Sequence, residues 1–247
     1  MKVSYINHMG DDLQIVNAAR VSFDKVSEWE TKLDHYSENN DISEWENDGW
    51  EFMAESTSGD VYSRLSTTDT RLIKYLARNN HWTPFAHTSI SLRMAAPVPI
   101  RTQCFKHKQG FVENEESRRY ISSRPDVFMP DVFRAAPEES VKQGSGDVHY
   151  ASGSWKTVYR ATTESAVDTY MEMIEDGVCP EQARLILPQG SIVNWIWTGN
   201  LASYARFYKE RTYEKAQREV QDLARMVADI IKPLYPVSWA ALVEGDT

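Results

Sequence analysis

The sequence predicts an α+β fold, a single domain in which long helices pack on an antiparallel or mixed sheet. Apolar side chains recur at helical spacing over residues 150–174 and 214–234, which predicts two long helices. Residues 2–9 and 88–94 alternate apolar and polar side chains, the pattern of half-buried strands. The chain has 247 residues, which is enough for one large domain with a sizeable core.

Shorter elements are predicted between these segments. Residues 66–68 (Ser-Thr-Thr) offer N-caps for a helix that ends near Asn79. Residues 192–197 are mostly apolar and fit either a strand or a buried helix. Pro180 marks a helix start, because proline is favoured in the first turn. Residues 121–149 include three prolines and several Ser and Gly residues, which predicts a long loop.

Residues 24–63 form an acidic segment. From Asp24 to Glu55 the chain has eleven acidic residues and two lysines, so this part alone accounts for the whole net charge of −9. The remainder has 25 basic and 25 acidic residues and can therefore hold basic pockets for anionic ligands. The Trp and Phe residues of the segment predict a surface insertion that is attached to the body through its aromatics. A partner-binding role is the alternative.

The composition is that of a folded, soluble protein. Hydrophobic residues make up 41% and charged residues 26% of the chain. No run of 18 apolar residues is present, so we expect no membrane helix. The N-terminus lacks the apolar core of a signal peptide, and two cysteines are too few for a disulfide framework. These features predict a cytoplasmic protein.

The densest group of chemically useful side chains lies at residues 101–120. Arginines can bind a phosphate in forked pairs, while amide and carboxylate groups can address the N–H and C=O groups of a polar ring. Gly110 would allow the backbone to approach a flat ligand closely. The segment therefore predicts a dianionic ligand with a polar ring, although a solvated charged hairpin has the same composition. The residues concerned are Arg101, Lys106, His107, Lys108, Asn114, Glu115, Glu116, Ser117, Arg118 and Arg119.

Two further groups carry weaker signals. His81 and His87 are six residues apart, which fits no zinc-ligand spacing, so no metal site is expected. Arg184 lies in the apolar sequence ARLILP, where an arginine generally needs an anionic partner. It is the first of several polar residues interleaved with aromatics up to position 217, which include Asn200, Arg206, Arg211 and Gln217. Neither a Rossmann fingerprint nor a P-loop is present.

Taken together, these segments resemble the flavin-dependent thymidylate synthases (the ThyX family). The family signature is Arg-His-Arg, seven residues, then Ser, usually a small residue, Arg and Tyr. Residues 106–108 (Lys-His-Lys), eight intervening residues and residues 117–120 (Ser-Arg-Arg-Tyr) are similar to it. Further blocks follow in the family's order, apart from the acidic segment and the long loop: ARVSF at 19–23, YLARNNHWTPFAH at 75–87, ARLILP at 183–188, WTGN at 197–200 and ER-TYEK-AQ at 210–217.

The resemblance implies a ThyX-type fold and a homotetramer with active sites shared between subunits. It implies methylation of dUMP to dTMP, with methylenetetrahydrofolate as carbon donor, FAD as hydride carrier and NADPH as reductant. No cysteine nucleophile is involved in such a reaction. The expected ligands are thus nucleotides and folates, without nucleic acid or a membrane.

The resemblance also assigns site residues. Arg184, Arg211 and Ser117 would form the catalytic set, with an arginine stabilising negative charge on the uracil ring and Ser117 serving as a hydrogen-bond donor. The residues expected to contact dUMP are Gln103, Glu115, Glu116, Ser117, Arg118, Arg119, Arg184 and Arg211. Those expected near FAD are Ser22, His81, Thr83, Lys106, His107, Lys108, Asn200, Arg206 and Lys215. The chain departs from the family at Ala86, Ala202 and Lys215, where an acid, an arginine and a histidine are common.

Three alternatives stay open at the level of sequence. A nucleic-acid-binding module would also place basic residues beside aromatics, although the chain outside the acidic segment is only neutral. A cysteine-based methylation of a pyrimidine would use Cys104, which lies three residues before His107. A relative that binds flavin without turnover would retain the same motifs.

Overall fold

The structure, a computed structural model, describes residues 1–34, 48–56, 59–137 and 144–245. Backbone contacts divide the chain into two compact units. The large unit comprises Met1–His8 and Ser89–Pro233, and the small unit comprises Met9–Thr88 and Leu234–Thr247. The single domain expected from the sequence stays a prediction, since a division by contacts does not test whether the units fold separately.

The described residues contain both helices and antiparallel sheets, which confirms the predicted α+β class. The strands are β1 (Lys2–Met9), β2 (Glu30–Asp34), β3 (Glu51–Ser56), β4 (Gly59–Arg64), β5 (Ser89–Pro97), β6 (Phe111–Glu115) and β7 (Ile192–Gly199). The helices are α1 (Asp12–Arg20), α2 (Thr67–Arg78), α3 (Val98–Cys104), α4 (Ser152–Glu175), α5 (Pro180–Ala183), α6 (Leu201–Arg211), α7 (Arg218–Ile231) and α8 (Pro236–Val243). None of them is long and apolar enough to cross a membrane.

The large unit is built on a four-stranded sheet in the order β1-β5-β7-β6. Strand β7 pairs antiparallel with both β5 and β6, and Trp197 lies opposite Leu92. Leu92, Met94, Trp195 and Trp197 are buried, because alternate side chains of a strand share one face. The apolar run at 192–197, which fitted a strand or a buried helix, is therefore a central strand.

The two long predicted helices are present in the large unit as α4 and α7. Helix α7 buries the predicted stripe, which includes Val220, Leu223, Val227 and Ile231. It begins at Arg218, four residues later than predicted. Helix α4 differs more, since it buries Val167 and Tyr170 while the apolar residues of its first half stay at the surface.

The small unit contains the predicted helix α2, which starts where the sequence placed its cap. The Ser66 hydroxyl accepts a hydrogen bond from the Asp69 backbone N–H at 3.1 Å, and Asn79 ends the helix. Helices α1 and α8 of this unit are joined through the buried Asp12. Its carboxylate accepts hydrogen bonds of 2.9 Å from the N–H groups of Val237 and Ser238. These two bonds connect the start of α8 to α1.

The described part of the acidic segment forms an antiparallel sheet in the order β2-β4-β3. The Trp50 ring lies against Lys32 and Arg64, whose charged groups are 5.7 and 4.6 Å from its centroid. Trp50 thus packs within the segment itself, and Trp45 lies outside the described residues. The segment's roles as an insertion or a partner-binding element stay predictions. In the predicted loop, residues 121–137 and 144–149 contain two isolated bridges and neither a helix nor a longer strand.

Candidate active site

Five of the residues expected to contact a nucleotide line one cleft of the large unit, here called the Ser117 cleft. Its volume is about 330 Å³, and its floor includes apolar side chains from the 183–188 turn and the start of β7. Strand β6 ends at Glu115, and the chain then turns so that successive side chains face the same cleft. The polar residues that line it are the five nucleotide candidates, Glu115, Glu116, Ser117, Arg118 and Arg184, together with Gln189 and Ser191.

The two carboxylates of the Ser117 cleft are held differently. Glu115 forms an ion pair of 2.8 Å with Arg101. Burial raises the pKa of Glu115, while Arg101 opposes this shift and Glu116 adds to it. The Glu116 carboxylate accepts hydrogen bonds from the backbone and side-chain N–H groups of Asn194, at 3.2 and 3.0 Å. The backbone N–H of Glu116 donates to the Asn194 carbonyl, so this position is tied to β7 in three ways.

The arginines of this region differ in the partners that their guanidinium groups bind. Arg118 donates to the Ser123 carbonyl and still lines the cleft. Arg119 does not line it, because its guanidinium pairs with Glu181 at 2.6 Å. Arg184 is exposed and donates a long hydrogen bond of 3.3 Å to the Glu181 carbonyl. Its apolar neighbour Leu185 is also exposed, to 80%, because both residues lie on a short turn.

The two remaining nucleotide candidates, Gln103 and Arg211, line a second cleft of about 530 Å³, here called the Arg211 cleft. Gln103 donates a hydrogen bond of 2.7 Å to Gln217. The cleft is positively charged, since its charged lining residues are Arg134, Arg211 and Lys215. Apart from Arg119, the predicted nucleotide residues are therefore divided between two clefts of one chain.

Sequence reasoning missed part of the Arg211 cleft. Arg134 and Ser145 lie in the predicted loop, outside every block that resembles the family. Arg134 is fixed by hydrogen bonds of 2.7 Å to the Ser145 hydroxyl and 2.6 Å to Glu219. Burial raises the pKa of Glu219, but the hydrogen bonds from Arg134, Gln217 and the backbone, together with the Arg134 charge, outweigh it, and the net shift is downward. No local pattern in the sequence indicates a pairing over 85 residues.

His107 is buried beneath the Arg211 cleft and contacts Arg211 directly. Its Nε2 accepts a hydrogen bond of 2.8 Å from the Arg211 Nε–H. Burial and the neighbouring Arg211 charge lower the pKa of His107 to about 4, although Glu210 opposes this shift. The imidazole is therefore neutral at physiological pH.

The flavin candidates of the large unit surround the turn that precedes β6. Lys106 is exposed, and Lys108 pairs with Glu113. Arg206 donates hydrogen bonds of 2.7 and 3.1 Å to the carbonyl and side-chain oxygens of Gln109. Asn200 caps α6, accepting a hydrogen bond of 2.9 Å from the Ser203 N–H. Lys215 is exposed at the rim of the Arg211 cleft.

Gly110 allows this turn to lie directly against the start of α6. Its φ is +78°, and a Cβ at this position would lie 2.1 Å from the Ser203 hydroxyl oxygen. Only glycine fits such a position, for reasons of both conformation and space. Lys106 and Lys108 lie in this turn, and Arg206 is hydrogen-bonded to it through Gln109.

The other flavin candidates, Ser22, His81 and Thr83, are exposed residues of the small unit. The turn that carries Ser22 is fixed by Arg20, whose Nε donates to Asp69 at 3.0 Å. Burial would raise the pKa of Asp69, but bonds from Arg20, Ser66 and Ser27 lower it overall. That these three residues lie near bound FAD stays a prediction.

The structure bears on the cysteine alternative as well. Cys104 is fully buried, and burial raises the pKa of its thiol to about 12. A thiol in this state is a poor nucleophile, because the thiolate is the reactive form. Among the described residues, no group of three His, Cys, Asp or Glu side chains is arranged to hold a metal ion.

Comparison with solved structures supports the fold. The chain is similar to the UMP/dUMP methylase PolB from Streptomyces cacaoi, in crystal structures bound with 5-Br dUMP and with 5-Br UMP. Both comparisons give a TM-score of 0.73 and cover 97% of this chain, with 23% and 22% identity. They cover 93% and 92% of the PolB chains.

Comparison with known sequences shows the family. Flavin-dependent thymidylate synthases from Thermus thermophilus and Thermosipho africanus are each 28% identical, over 98% and 97% of this chain and 75% and 89% of their own lengths. The enzyme from Kosmotoga olearia is 30% identical over 79% of this chain and 86% of its own. The profile of the family described as thymidylate synthase complementing protein matches residues 4–237. The chain therefore belongs to this family, that of the flavin-dependent thymidylate synthases.

Proposed function

We propose that the protein converts dUMP to dTMP by reductive methylation, with methylenetetrahydrofolate as carbon donor, FAD as hydride carrier and NADPH as reductant. The observation that carries the proposal is the Ser117 cleft, where two arginines, two carboxylates and a serine meet in about 330 Å³. Cations suit the phosphate of a nucleotide, and acceptor and donor groups suit the polar edge of uracil. The relatives named flavin-dependent thymidylate synthase support the same reaction.

The roles of the arginines follow from how each is held. Arg118 and Arg184 lie in the Ser117 cleft with free donors, and we assign them to the anionic part of the nucleotide. Arg211 is partly buried and fixed by two hydrogen bonds, so it can present a charge without reorganising. We assign Arg211 to the negative charge that develops on the uracil ring as C5 becomes nucleophilic. Arg119 must exchange its Glu181 partner before it can bind a nucleotide.

Ser117 serves as a hydrogen-bond donor in this proposal and not as a nucleophile. A serine nucleophile needs an adjacent base. Its Oγ instead accepts a hydrogen bond of 3.3 Å from the Arg119 backbone N–H. Cys104 offers no alternative nucleophile, given its burial and the raised pKa of its thiol.

The residues present fit an anionic dinucleotide such as FAD. The turn around Gly110 carries Lys106 and Lys108, is hydrogen-bonded to Arg206 and lies beside the amide of Asn200. Cations and amides are the donors that a pyrophosphate and a flavin ring accept from. Bound flavin supplies the hydride that completes the methyl group, which is chemistry that no side chain of the chain provides.

The division of candidates between two clefts supports an active site shared between subunits. Gln103 and Arg211 line a different cleft from Ser117 and Arg184, so a second copy can complete each site. Large apolar side chains are exposed around the Ser117 cleft, including Leu185 at 80% and Tyr120 at 79%. Such exposure is typical of surfaces that become buried on assembly. We propose the homotetramer of the family on these grounds.

The proposal is tested by measuring dTMP formation from dUMP with flavin, folate and NADPH present. Arg184→Ala and Arg211→Ala should each lower dTMP formation by at least about 100-fold, the usual effect of removing a charge-stabilising donor. Arg124→Ala is the matched control, since Arg124 is an exposed arginine outside both clefts that pairs with Asp168. Normal turnover in both test variants, or none in the wild type, would overturn the proposal.

A further inference from the structure

We propose that His107 is a positioning residue, which orients the Arg211 guanidinium toward the reacting ring by accepting its Nε–H. The inference rests on the proposed function, because it gives Arg211 the role described above. It also gives His107 a role different from that of Lys106 and Lys108, the neighbouring residues of the signature. Those two side chains are exposed, whereas the imidazole is 93% buried and faces α6.

The geometry of Arg211 is the first support. Its Nε donates to His107 Nε2 at 2.8 Å, and its Nη2 donates to the Gln103 carbonyl at 3.3 Å. A guanidinium is planar, so two anchored nitrogens fix the plane of the whole group. Within the described chain Nη1 makes no hydrogen bond, and Arg211 lines its cleft. The anchored side chain therefore keeps its remaining donors available for a ligand.

The chemistry of the pair specifies the tautomer of His107. Arginine can only donate hydrogen bonds, so Nε2 must carry the lone pair and Nδ1 the proton. The Nδ1 atom lies 3.8 Å from the Glu210 carboxylate, which favours this tautomer. The Phe207 ring meets the imidazole edge to face, with centroids 5.1 Å apart. Packing and charge thus hold the acceptor nitrogen toward Arg211.

The electrostatics are consistent with an acceptor that must remain neutral. The charged groups that act on His107 are Arg211, Glu210 and Arg206, and burial and the two arginines favour the neutral imidazole. A protonated imidazole would place an N–H against the Arg211 Nε–H and two positive charges side by side. The neutral imidazole avoids both conflicts and can accept the Arg211 Nε–H.

The test compares His107→Gln, His107→Asn and His107→Leu in the flavin-loaded protein. Two quantities are measured: the dissociation constant of dUMP by calorimetry, and kcat for dTMP formation. A glutamine Oε1 reaches the place of Nε2, whereas an asparagine Oδ1 reaches only that of Nδ1. We expect the glutamine variant to retain most activity. The asparagine and leucine variants should lose about 10- to 100-fold, the loss expected for a hydrogen bond to a charged group.

A double-mutant cycle separates positioning from a structural role. If His107 acts through Arg211, then His107→Leu should have no further effect in the Arg211→Ala background. Equal activities of the glutamine and asparagine variants, or additive effects in the cycle, would overturn the inference and leave the proposed function intact. A wild-type protein that forms no dTMP would overturn the proposed function and the inference together.

Discussion

Replacement of Gly110 by alanine should destabilise the large unit by two separable effects. The first is conformational, because φ at Gly110 is +78°. Forcing a residue with a Cβ into the left-handed region costs about 1–2 kcal/mol. The second is steric, since the new Cβ would lie 2.1 Å from the Ser203 Oγ and 2.9 Å from the Asn200 Nδ2.

The free-energy cost of the steric effect can be estimated from the hydrogen bond that Ser203 would lose. Its hydroxyl lies 3.0 Å from the Gln109 carbonyl and 2.9 Å from the Asn200 Oδ1, and one of these bonds is lost when it rotates away. Each such bond contributes about 0.5–1.5 kcal/mol. The total is about 1.5–3.5 kcal/mol, or a fall in Tm of about 3–14 °C for a chain of this size.

Thermal unfolding followed by circular dichroism measures the loss. Gly177→Ala is the matched control, because φ there is +86° but, its two chain neighbours aside, no atom of the described residues lies within 4 Å of the added Cβ. The Gly177→Ala variant should lose only the stability that the conformational effect removes, about 1–2 kcal/mol. Adding Ser203→Ala to Gly110→Ala removes the atom closest to the new Cβ. The double variant should therefore regain part of the stability that Gly110→Ala loses beyond the Gly177→Ala control. Equal losses in the Gly110 and Gly177 variants would refute the reasoning.

Three other predictions follow from the site. Cys104→Ala should retain dTMP formation, because the thiol is buried with a pKa raised to about 12; loss of turnover with dUMP binding intact would support the cysteine mechanism. The folded-state pKa of His107, about 4, lies below the ordinary 6.5, so the unfolded chain binds this proton first as pH falls. The His107 contribution to the free energy of unfolding, up to about 3 kcal/mol, should therefore be lost between about pH 6.5 and 4. Urea unfolding measures this loss, and an identical pH dependence in His107→Gln would contradict it. Lys106→Arg combined with Lys108→Arg should tighten FAD binding in a fluorescence titration, because arginine offers a planar fork where lysine offers a point charge. Unchanged FAD affinity would count against that assignment.

Local signals in the sequence predicted much of the fold. Helix α2 starts at its Ser66 cap, and α7 buries the apolar stripe that the spacing indicated. The strand at 192–197 could not be told from a buried helix, because a short apolar run has no diagnostic period. Its pairing with β5 and β6, which are distant in sequence, decides the outcome.

The site was predicted less completely, because its contacts are long-range. The motifs identified Glu115, Ser117 and Arg184, which meet in one cleft. They gave no sign that His107 lies inward against Arg211, 104 residues away. The apolar sequence around Arg184 did not indicate that a short turn exposes both Arg184 and Leu185. Periodicity and composition report which side chains are present, whereas orientation depends on tertiary packing.

An absorbance spectrum of the purified protein, followed by titration with dUMP, tests the central claim most directly. We expect the visible bands of oxidised flavin, and we expect dUMP to perturb them because both ligands would occupy one site. A colourless protein that takes up no added FAD and does not respond to dUMP would contradict the account.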